Sequence, residues 1–313
     1  MTDPVRTMRA MRASSPDPAS LTSENVPVPD PGPGELLVEV RATAITAGEL
    51  TWPESWPATP CHDLSGVVAE TGHGVTGWRS GDEIYGLVGF DRPGAAAEYV
   101  TAPAADLAAK PPSVDHLDAA AVPLGALTAW QALHQHAQLR PGQHVLVLGG
   151  AGGVGAYAVQ VAAQHGARVT ATASARDLAF VTGLGARDVL DYSGRFEDHV
   201  RDVDVVIDPV GGTTTARSWP VLRSGGTLVA IAEDPGTSHG GRDDVRSVFF
   251  VVEPDGGQLR ELANLVDQGQ LRPVVSTVFD LAALPEAFRA LRGDRPPGKV
   301  VISVGRTASP RGA

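Results

Sequence analysis

The sequence has very little cysteine and no long apolar run. Cys61 is the one cysteine among 313 residues, which excludes an internal disulfide and any metal site built from several thiolates. No stretch approaches the roughly 20 apolar residues that a membrane span needs. Residues 1–14 contain arginines with no apolar segment behind them, so we expect neither a secretory signal nor an anchor. These absences predict a cytoplasmic protein with no membrane partner.

Basic residues are outnumbered by acidic ones. The chain has 25 lysines and arginines against 36 aspartates and glutamates, a formal net charge of −11. This charge repels polyphosphate backbones unless a local basic patch intervenes. The arginines of residues 217–246 are interspersed with acidic residues, a pattern typical of a solvated surface, so we expect no nucleic-acid partner. The length and the 42% hydrophobic content indicate a globular chain of two domains.

The chain divides by periodicity into three stretches. Residues 8–123 have β character, with short β-branched segments between Pro-Gly clusters. Residues 125–268 alternate strand and helix patterns, and the last part of the chain returns to strand character. We therefore predict a β-rich domain formed by residues 1–124 and 269–313, into which an α/β domain at 125–268 is inserted. The strands predicted for the β-rich domain are 35–41, 66–69, 83–88, 272–278 and 299–304, with a helix at 284–291.

The middle stretch repeats a strand-then-helix order. That order predicts a parallel sheet with right-handed crossovers, which is a doubly wound Rossmann fold. The predicted strands are 144–148, 168–172, 188–190, 203–208, 226–231 and 248–252.

A glycine-rich turn follows the first of these strands. The strand at 144–148 leads into Gly150-x-Gly152-x-x-Gly155, and a helix-forming run at 156–165 follows at once. This spacing is the dinucleotide fingerprint, in which the glycines allow a tight turn, backbone approach to the pyrophosphate and close packing of helix on strand. The helix N-terminus offers amide hydrogens to the anion. The cofactor-binding residues predicted here are Gly150, Gly152, Gly153, Val154 and Gly155.

The end of the second predicted strand bears on the choice of nicotinamide cofactor. An NAD enzyme places a carboxylate there to hold the ribose 2′-hydroxyl, whereas residues 172–176 contain no acid. Ser174 and Arg176 are suited to hold a 2′-phosphate by charge-assisted hydrogen bonds. We therefore predict NADPH as the cofactor. Alternatively, Ser174 caps the helix that begins near Ala175.

With these residues in view, the chain resembles the zinc-independent quinone oxidoreductase branch of the medium-chain dehydrogenase/reductase superfamily. The resemblance implies a GroES-like catalytic domain formed by both ends of the chain, an inserted Rossmann domain, an active site in the cleft between them and a homodimer. The blocks that carry the resemblance are residues 26–40, 119–133, the glycine loop, 208–212 and 298–301.

The resemblance also carries over further cofactor residues. Thr128 matches the threonine at the nicotinamide end, and Tyr192 matches the tyrosine beside the adenosine phosphate. Phe250 and Val252 belong to the segment that lines the nicotinamide pocket, and Val210 lies in the matching 208–212 block. Alternatives remain open: a helix-start hydroxyl for Thr128, a surface turn for Tyr192 and plain core for Phe250.

Zinc-dependent relatives use two cysteines and a histidine as ligands, and the cysteines are missing here. Their positions are occupied by Thr46 and Leu124, and only His62 remains. One imidazole does not make a site that needs three protein ligands, so we predict no metal. A site formed by Cys61, His62 and Asp63 is the alternative.

Without zinc as a Lewis acid, simple alcohol oxidation is disfavoured. Quinones and α,β-unsaturated carbonyls are already electrophilic, so we predict hydride transfer to a small molecule of that class, including enoyl groups. The alternatives are an NADPH-binding sensor or scaffold and a zinc alcohol dehydrogenase. Glu49, Trp52 and His62 each have a structural alternative, as a cap or salt bridge, a lid and a core histidine. The candidate catalytic residues are Thr46, Glu49, Trp52 and His62, with Tyr85 behind them.

Overall fold

The computed structural model of the chain describes residues 5–236, 240–293 and 296–305. The chain forms two compact units. The first comprises Met1–Leu124 and Pro254–Ala313, and the second comprises Gly125–Glu253. No helix among the described residues is long and apolar enough to cross a bilayer.

The first unit is mainly antiparallel. A seven-stranded sheet has the order β14-β15-β3-β4-β5-β7, with β6 also paired to β3, and β1 and β2 form a separate two-stranded sheet. Only the β14–β15 pair is parallel. With numbering along the whole chain, its strands are β1 (Thr7–Arg12), β2 (Thr22–Pro27), β3 (Glu35–Ile45), β4 (Asp63–Thr71), β5 (Glu83–Leu87), β6 (Tyr99–Pro103), β7 (Leu107–Ala109), β14 (Val275–Asp280) and β15 (Lys299–Ser303). Its helices are α1 (His116–Ala120), α6 (Gly256–Asp267) and α7 (Leu284–Ala290).

The second unit contains one parallel sheet of six strands. Every neighbouring pair is parallel, and the order β10-β9-β8-β11-β12-β13 is that of a doubly wound dinucleotide-binding fold. The strands are β8 (His144–Val147), β9 (Arg168–Ala173), β10 (Asp188–Asp191), β11 (Val203–Asp208), β12 (Leu222–Ala230) and β13 (Arg246–Phe249). The helices are α2 (Pro123–Trp130), which begins at the boundary, α3 (Gly155–Gln164), α4 (Leu178–Gly183) and α5 (Thr213–Ser218).

The burial of these strands explains their composition. All four residues of β8 and five of the six in β11 are buried. A parallel sheet covered on both faces requires such continuous apolar runs. In the first unit, β14 instead has no fully buried residue: four of its six residues are intermediate and two are exposed. The predicted fold class, a parallel Rossmann sheet together with a β-rich GroES-like part, is confirmed.

Element ends differ from the prediction by a few residues. The helix predicted at 156–165 is α3, and the strand predicted at 272–278 is β14, which begins three residues later at Val275. The last parallel strand, β13, ends at Phe249, so Phe250 and Val252 follow the strand. A π-helical turn, Gln131–His136, extends α2 and was not predicted.

The division of the chain differs from the predicted boundary at 268. Helix α6 is part of the first unit because its first residue lies directly on that unit's backbone. A Cβ at Gly256 would come within 2.4 Å of Ala105 O and 2.5 Å of Leu107 O. The Tyr85 hydroxyl also donates to Leu259 O in this helix, at 2.5 Å. The apolar periodicity of a helix is the same whichever unit the helix packs against. The sequence therefore did not indicate which unit contains α6.

Candidate functional site

The glycine loop is attached to the end of the neighbouring strand. Gly149 N donates to Thr172 Oγ1 at 3.0 Å, and Gly150 N donates to Thr172 O at 2.7 Å. Thr172 lies one residue before the end of β9. These bonds hold the loop at the carboxyl edge of the parallel sheet, where doubly wound folds bind their ligands.

Two glycines of the fingerprint are closely surrounded, and Gly155 has no room for a side chain. A Cβ at Gly155 would lie 2.1 Å from Gly149 O, and one at Gly150 would lie 3.0 Å from both Ala171 Cβ and Val181 Cγ1. Gly149 has a left-handed φ of +64°. The tight turn and the close packing of α3 on the strands therefore depend on the absence of side chains, as the fingerprint requires.

The start of α3 is suited to an anion. Val154 at its N-cap makes no side-chain capping bond, so the amides of the first turn are not capped by a side chain. Residues 151–154 are half-buried, whereas Gly155 is buried. The amides of Ala156 and Tyr157 already donate to Gly152 O and Val154 O, so an anion would meet the amides that precede them and the positive end of a ten-residue helix.

Ser174 and Arg176, which follow β9, are joined through a carboxylate that the sequence interpretation overlooked. Ser174 Oγ donates to Asp177 Oδ2 at 2.5 Å, and Arg176 Nε lies 3.6 Å from the same oxygen. Ser174 makes no side-chain capping bond, so the alternative interpretation of its hydroxyl as a helix cap is wrong. The conflict was visible in the sequence, since Asp177 is three residues after Ser174.

The other predicted cofactor residues of this unit differ in exposure. Tyr192 is 57% exposed and Val210 is 51% exposed. Tyr192 N donates to Ala173 O at 2.9 Å, which places Tyr192 beside the end of β9. Val210 Cγ2 would be 3.1 Å from a Cβ at Gly149, so Val210 lies against the glycine loop. Both are accessible at the edge that carries the loop.

Three predicted residues are less accessible. Thr128 in α2 is 2% exposed and Val252 is 8% exposed. Phe250 is half-buried, and its ring lies 4.2 Å from that of His136, centroid to centroid. His136 ends the π-helical turn after α2, so this turn is what supports Phe250.

In the first unit, Glu49 is the centre of a buried polar cluster. Its carboxylate accepts hydrogen bonds from Thr46 N, at 2.8 Å, and from Cys61 N. Glu49 is 2% exposed and Cys61 is fully buried. Cys61 has a φ of +72°, a conformation that costs free energy in a residue other than glycine. The carboxylate thus holds the turn after β3 against the segment that precedes β4.

Lys299 and Asp63 complete this cluster. Lys299 Nζ donates to Thr46 Oγ1 at 2.7 Å and lies 2.8 Å from Asp63 Oδ2, with which it forms a buried ion pair. Asp63 Oδ1 accepts from Leu124 N at 2.7 Å. Thr46 is half-buried. The sequence did not place Lys299 and Asp63 together: Asp63 was considered only for an alternative metal site and Lys299 only as part of the 298–301 block, because isolated charged residues in strands give no signal of their burial.

Burial shifts the protonation equilibria of this cluster. Desolvation raises the pKa of the Glu49 carboxyl to about 7, although the Thr46 and Cys61 amides and the Lys299 charge lower it. Desolvation and the nearby Glu49 charge raise the pKa of the Cys61 thiol. The Glu49 carboxyl therefore titrates near neutral pH, and the Cys61 thiol stays protonated there.

His62 lies between aromatic rings. Its centroid is 5.0 Å from that of Phe90 and 6.4 Å from that of Trp52, and its Nδ1 lies 3.1 Å from Val88 O. Desolvation lowers the pKa of the imidazole, which favours the neutral ring. Trp52 is 40% exposed. His62 thus has the hydrogen bond of a core histidine and an accessible aromatic neighbour.

The Tyr85 hydroxyl has a partner within the first unit. Tyr85 is fully buried, and its hydroxyl bonds to the backbone of α6 as described above. This bond joins β5 to that helix, and the place of Tyr85 behind the catalytic residues stays a prediction.

The three positions that hold zinc ligands in zinc-dependent relatives have other partners here. Thr46 Oγ1 accepts from Lys299, His62 Nδ1 contacts Val88 O and Leu124 N donates to Asp63. In the part of the chain that the structure describes, no group of three or more histidine, cysteine, aspartate or glutamate side chains is arranged to hold a metal ion.

Comparison with known proteins agrees with both parts of this geometry. Residues 32–112 match the alcohol dehydrogenase GroES-like domain, and residues 184–302 match the zinc-binding dehydrogenase domain. A protein of Arthroderma benhamiae named probable zinc-binding oxidoreductase, mitochondrial, is 33% identical over 310 residues, covering 91% of this chain and 93% of that protein. The 2-methylene-furan-3-one reductase of Solanum lycopersicum is 34% identical over 298 residues, covering 89% and 74%.

A solved structure extends the similarity to three dimensions. The quinone oxidoreductase from Coxiella burnetii superimposes with a TM-score of 0.89 at 30% sequence identity, covering 96% of this chain and all of that one. Domain matches, relatives along nearly the full length and a common fold lead to one conclusion. The chain belongs to the medium-chain dehydrogenase/reductase superfamily, with quinone oxidoreductases and proteins named zinc-binding oxidoreductases among its relatives.

Proposed function

We propose that this protein is a zinc-independent oxidoreductase that reduces a quinone or an α,β-unsaturated carbonyl with NADPH. The observation that carries the proposal is the glycine loop, whose Gly155 has no space for a Cβ and which leads into a helix without a side-chain cap. The relatives named quinone oxidoreductase and 2-methylene-furan-3-one reductase support the class of acceptor. We assign nucleotide binding to residues 125–253 and the polar catalytic groups to the remainder of the chain.

When bound, NADPH would supply the hydride. The chain's own part is to bind and orient the cofactor and to stabilise negative charge on the acceptor oxygen. Thr46 is the predicted residue best suited to that second task, because it is half-buried and its hydroxyl contacts a cation. His62 is less suited, since Nδ1 is engaged by Val88 O and burial favours the neutral ring.

Zinc independence is part of the proposal. It is supported by the donor set: a hydroxyl at 46 that contacts an ammonium, and an apolar side chain at 124. A cation beside Thr46 opposes the binding of a second cation there. Elemental analysis of the purified protein tests this; stoichiometric zinc would overturn it.

The choice of NADPH over NADH depends on Ser174 and Arg176. Arg176 is half-exposed at the end of β9, where a 2′-phosphate would be held. Arg176→Ala should raise KM for NADPH far more than KM for NADH. Equal effects on both cofactors would contradict the assignment.

We also infer a homodimer. Strand β13 pairs only with β12 among the described strands and leaves its other edge unpaired, and Phe249 at its end and Val251 just beyond are 41% and 61% exposed. An open edge with apolar residues favours association with a second copy. Sedimentation at several concentrations tests this. The cytoplasmic location is a separate prediction. One relative has the word mitochondrial in its name, so fractionation of the source cells is the experiment that tests the location.

The activity is tested by following NADPH absorbance with quinones, enones and enoyl thioesters, with NADH as the control. We expect turnover with at least one acceptor class. Tight NADPH binding without turnover of any acceptor would favour the alternative of a sensor or scaffold.

A further inference from the structure

Lysine is used in this protein only where it is buried. The chain has 25 lysines and arginines, and all except Lys110 and Lys299 are arginine. Lys110 is 8% exposed and Lys299 is 4% exposed. All other residues counted with lysine as basic are arginines. Both lysine ammonium groups, which are compact point charges, are therefore enclosed by protein, whereas the exposed basic side chains are guanidinium groups.

The two lysines have different partners. Lys110 Nζ donates to Pro111 O at 3.1 Å and Val114 O at 2.7 Å, and it lies 3.3 Å from the half-exposed Glu83 carboxylate. These carbonyls belong to the loop that follows Lys110, so that lysine closes a loop. Lys299 has a buried carboxylate and the half-buried Thr46 hydroxyl as its neighbours.

The direction of the Lys299–Thr46 hydrogen bond follows from the chemistry of the groups. An ammonium has three donors and no acceptor, so Thr46 Oγ1 must accept. The hydroxyl hydrogen then points to another partner, and none of the described residues accepts it. Donation from a cation strengthens the hydroxyl as a donor in turn. Thr46 therefore presents a polarised O–H at a half-buried position.

We propose that Lys299 is a positioning residue that fixes and polarises the Thr46 hydroxyl for donation to the oxygen of the hydride acceptor. The inference rests on the proposed function. In that function, a carbon of the acceptor gains a hydride, which is two electrons and one hydrogen. NADPH supplies the hydride and is oxidised. Its oxygen takes up the negative charge, which Thr46 stabilises by a hydrogen bond until water supplies the proton.

The neighbouring carboxylates have separate tasks in this arrangement. Asp63 is fully buried and balances the Lys299 charge, since an unpaired buried ion is costly. Glu49 holds the backbone amide of Thr46 and so fixes the orientation of that residue. The fork of an arginine is wider than an ammonium and would not fit between Asp63 and Thr46 without displacing one of them.

The first test observes the hydrogen bond without turnover. Because the chain has two lysines, protein labelled with ¹⁵N-lysine gives two side-chain ammonium signals, and Lys110→Met assigns them. Thr46→Val should shift the Lys299 signal and leave the Lys110 signal in place. If both signals keep their positions in Thr46→Val, the two groups are not bonded and the proposal is wrong.

The second test is a double-mutant cycle on rate constants. Thr46→Val and Lys299→Met should each lower kcat by about 10- to 100-fold, the range of a lost oxyanion donor. KM for NADPH should stay unchanged, and the double variant should be no slower than the slower single variant. Lys110→Met is the matched control, with the same charge removed from a buried site, and should keep kcat. Additive losses, or full kcat in Lys299→Met, would overturn the proposal.

Folding and function can be separated in this design. If Lys299→Met does not fold because Asp63 is left unpaired, Lys299→Met combined with Asp63→Asn replaces it, since the asparagine oxygen can still accept from Leu124 N. If the wild-type protein reduces no acceptor, the proposed function fails, while the ammonium spectrum still decides whether Lys299 donates to Thr46. The two failures are therefore distinguishable.

Discussion

Asp177 Oδ2 accepts a hydrogen bond from Ser174 Oγ at 2.5 Å and lies 3.6 Å from Arg176 Nε. The two side chains proposed to hold a 2′-phosphate thus share a carboxylate. That carboxylate repels a phosphate and competes with it for both donors. The protein should bind NADPH less tightly than Ser174 and Arg176 alone would allow.

Asp177→Asn should therefore lower Kd for NADPH by about tenfold and leave Kd for NADH nearly unchanged, because only NADPH carries the 2′-phosphate. Fluorescence titration with each cofactor measures both constants. Asp188→Asn is the control, as it removes the same charge from an exposed position at the amino end of β10. A parallel change for both cofactors would contradict a role in discrimination.

The pH dependence of stability should report Glu49. Its pKa is about 7 in the fold against 4.5 for the free side chain, so the folded state holds this proton at pH values where the unfolded chain has lost it. The contribution of this protonated carboxyl to the unfolding free energy is fully present below pH 4.5 and is lost as the pH rises through 7.

Between about pH 5 and pH 8, the unfolding free energy of the wild type should fall relative to Glu49→Gln by about 2–3 kcal/mol. Urea unfolding of both proteins at each pH measures this difference, in which other titrating groups cancel. A difference that stays constant with pH would mean that the buried carboxyl does not titrate in this range.

Gly155→Ala should damage the nucleotide loop. The new Cβ would meet the Gly149 carbonyl at 2.1 Å, so the turn or the start of α3 must move. We expect NADPH binding to weaken by at least about tenfold and the unfolding free energy to fall by roughly 1–3 kcal/mol. Gly183→Ala, which meets no atom within 4 Å, should keep both properties. Unchanged NADPH affinity in Gly155→Ala would place the pyrophosphate elsewhere.

Tyr85→Phe tests whether the Tyr85 hydroxyl has only a structural role. Loss of the buried bond to Leu259 O should lower the unfolding free energy by about 1 kcal/mol, because the carbonyl keeps its hydrogen bond within α6 and loses only its second donor. Rate constants with NADPH and an acceptor should be those of the wild type. A large fall in kcat at normal stability would place this hydroxyl in the active site.

The nucleotide-binding part of the fold could be predicted because its signals are local. The strand, the glycine spacing and the helix are contiguous in sequence, and the alternation of strands and helices along residues 144–249 determines a parallel sheet. The buried apolar runs of β8 and β11 belong to the same pattern. Such patterns need no knowledge of distant contacts.

The polar cluster could not be predicted, since its members are far apart in sequence. Lys299 and Thr46 are separated by 253 positions, and they meet because β15 pairs with β3 in antiparallel register, Val300 opposite Ile45. Nothing near Lys299 in the sequence indicates which strand it joins. Asp177 is close in sequence to Ser174 and Arg176, but its contact with both depends on side-chain orientations after β9 that the sequence does not specify.

The most direct test of the account is a single turnover with NADPH that carries deuterium at C4 of the nicotinamide, an enone acceptor and mass spectrometry of the product. The account predicts that deuterium from one face of the nicotinamide is found on the β-carbon of the reduced enone. Unoxidised NADPH, bound tightly and recovered intact from parallel reactions with an enone, an enoyl thioester and a quinone, would contradict it.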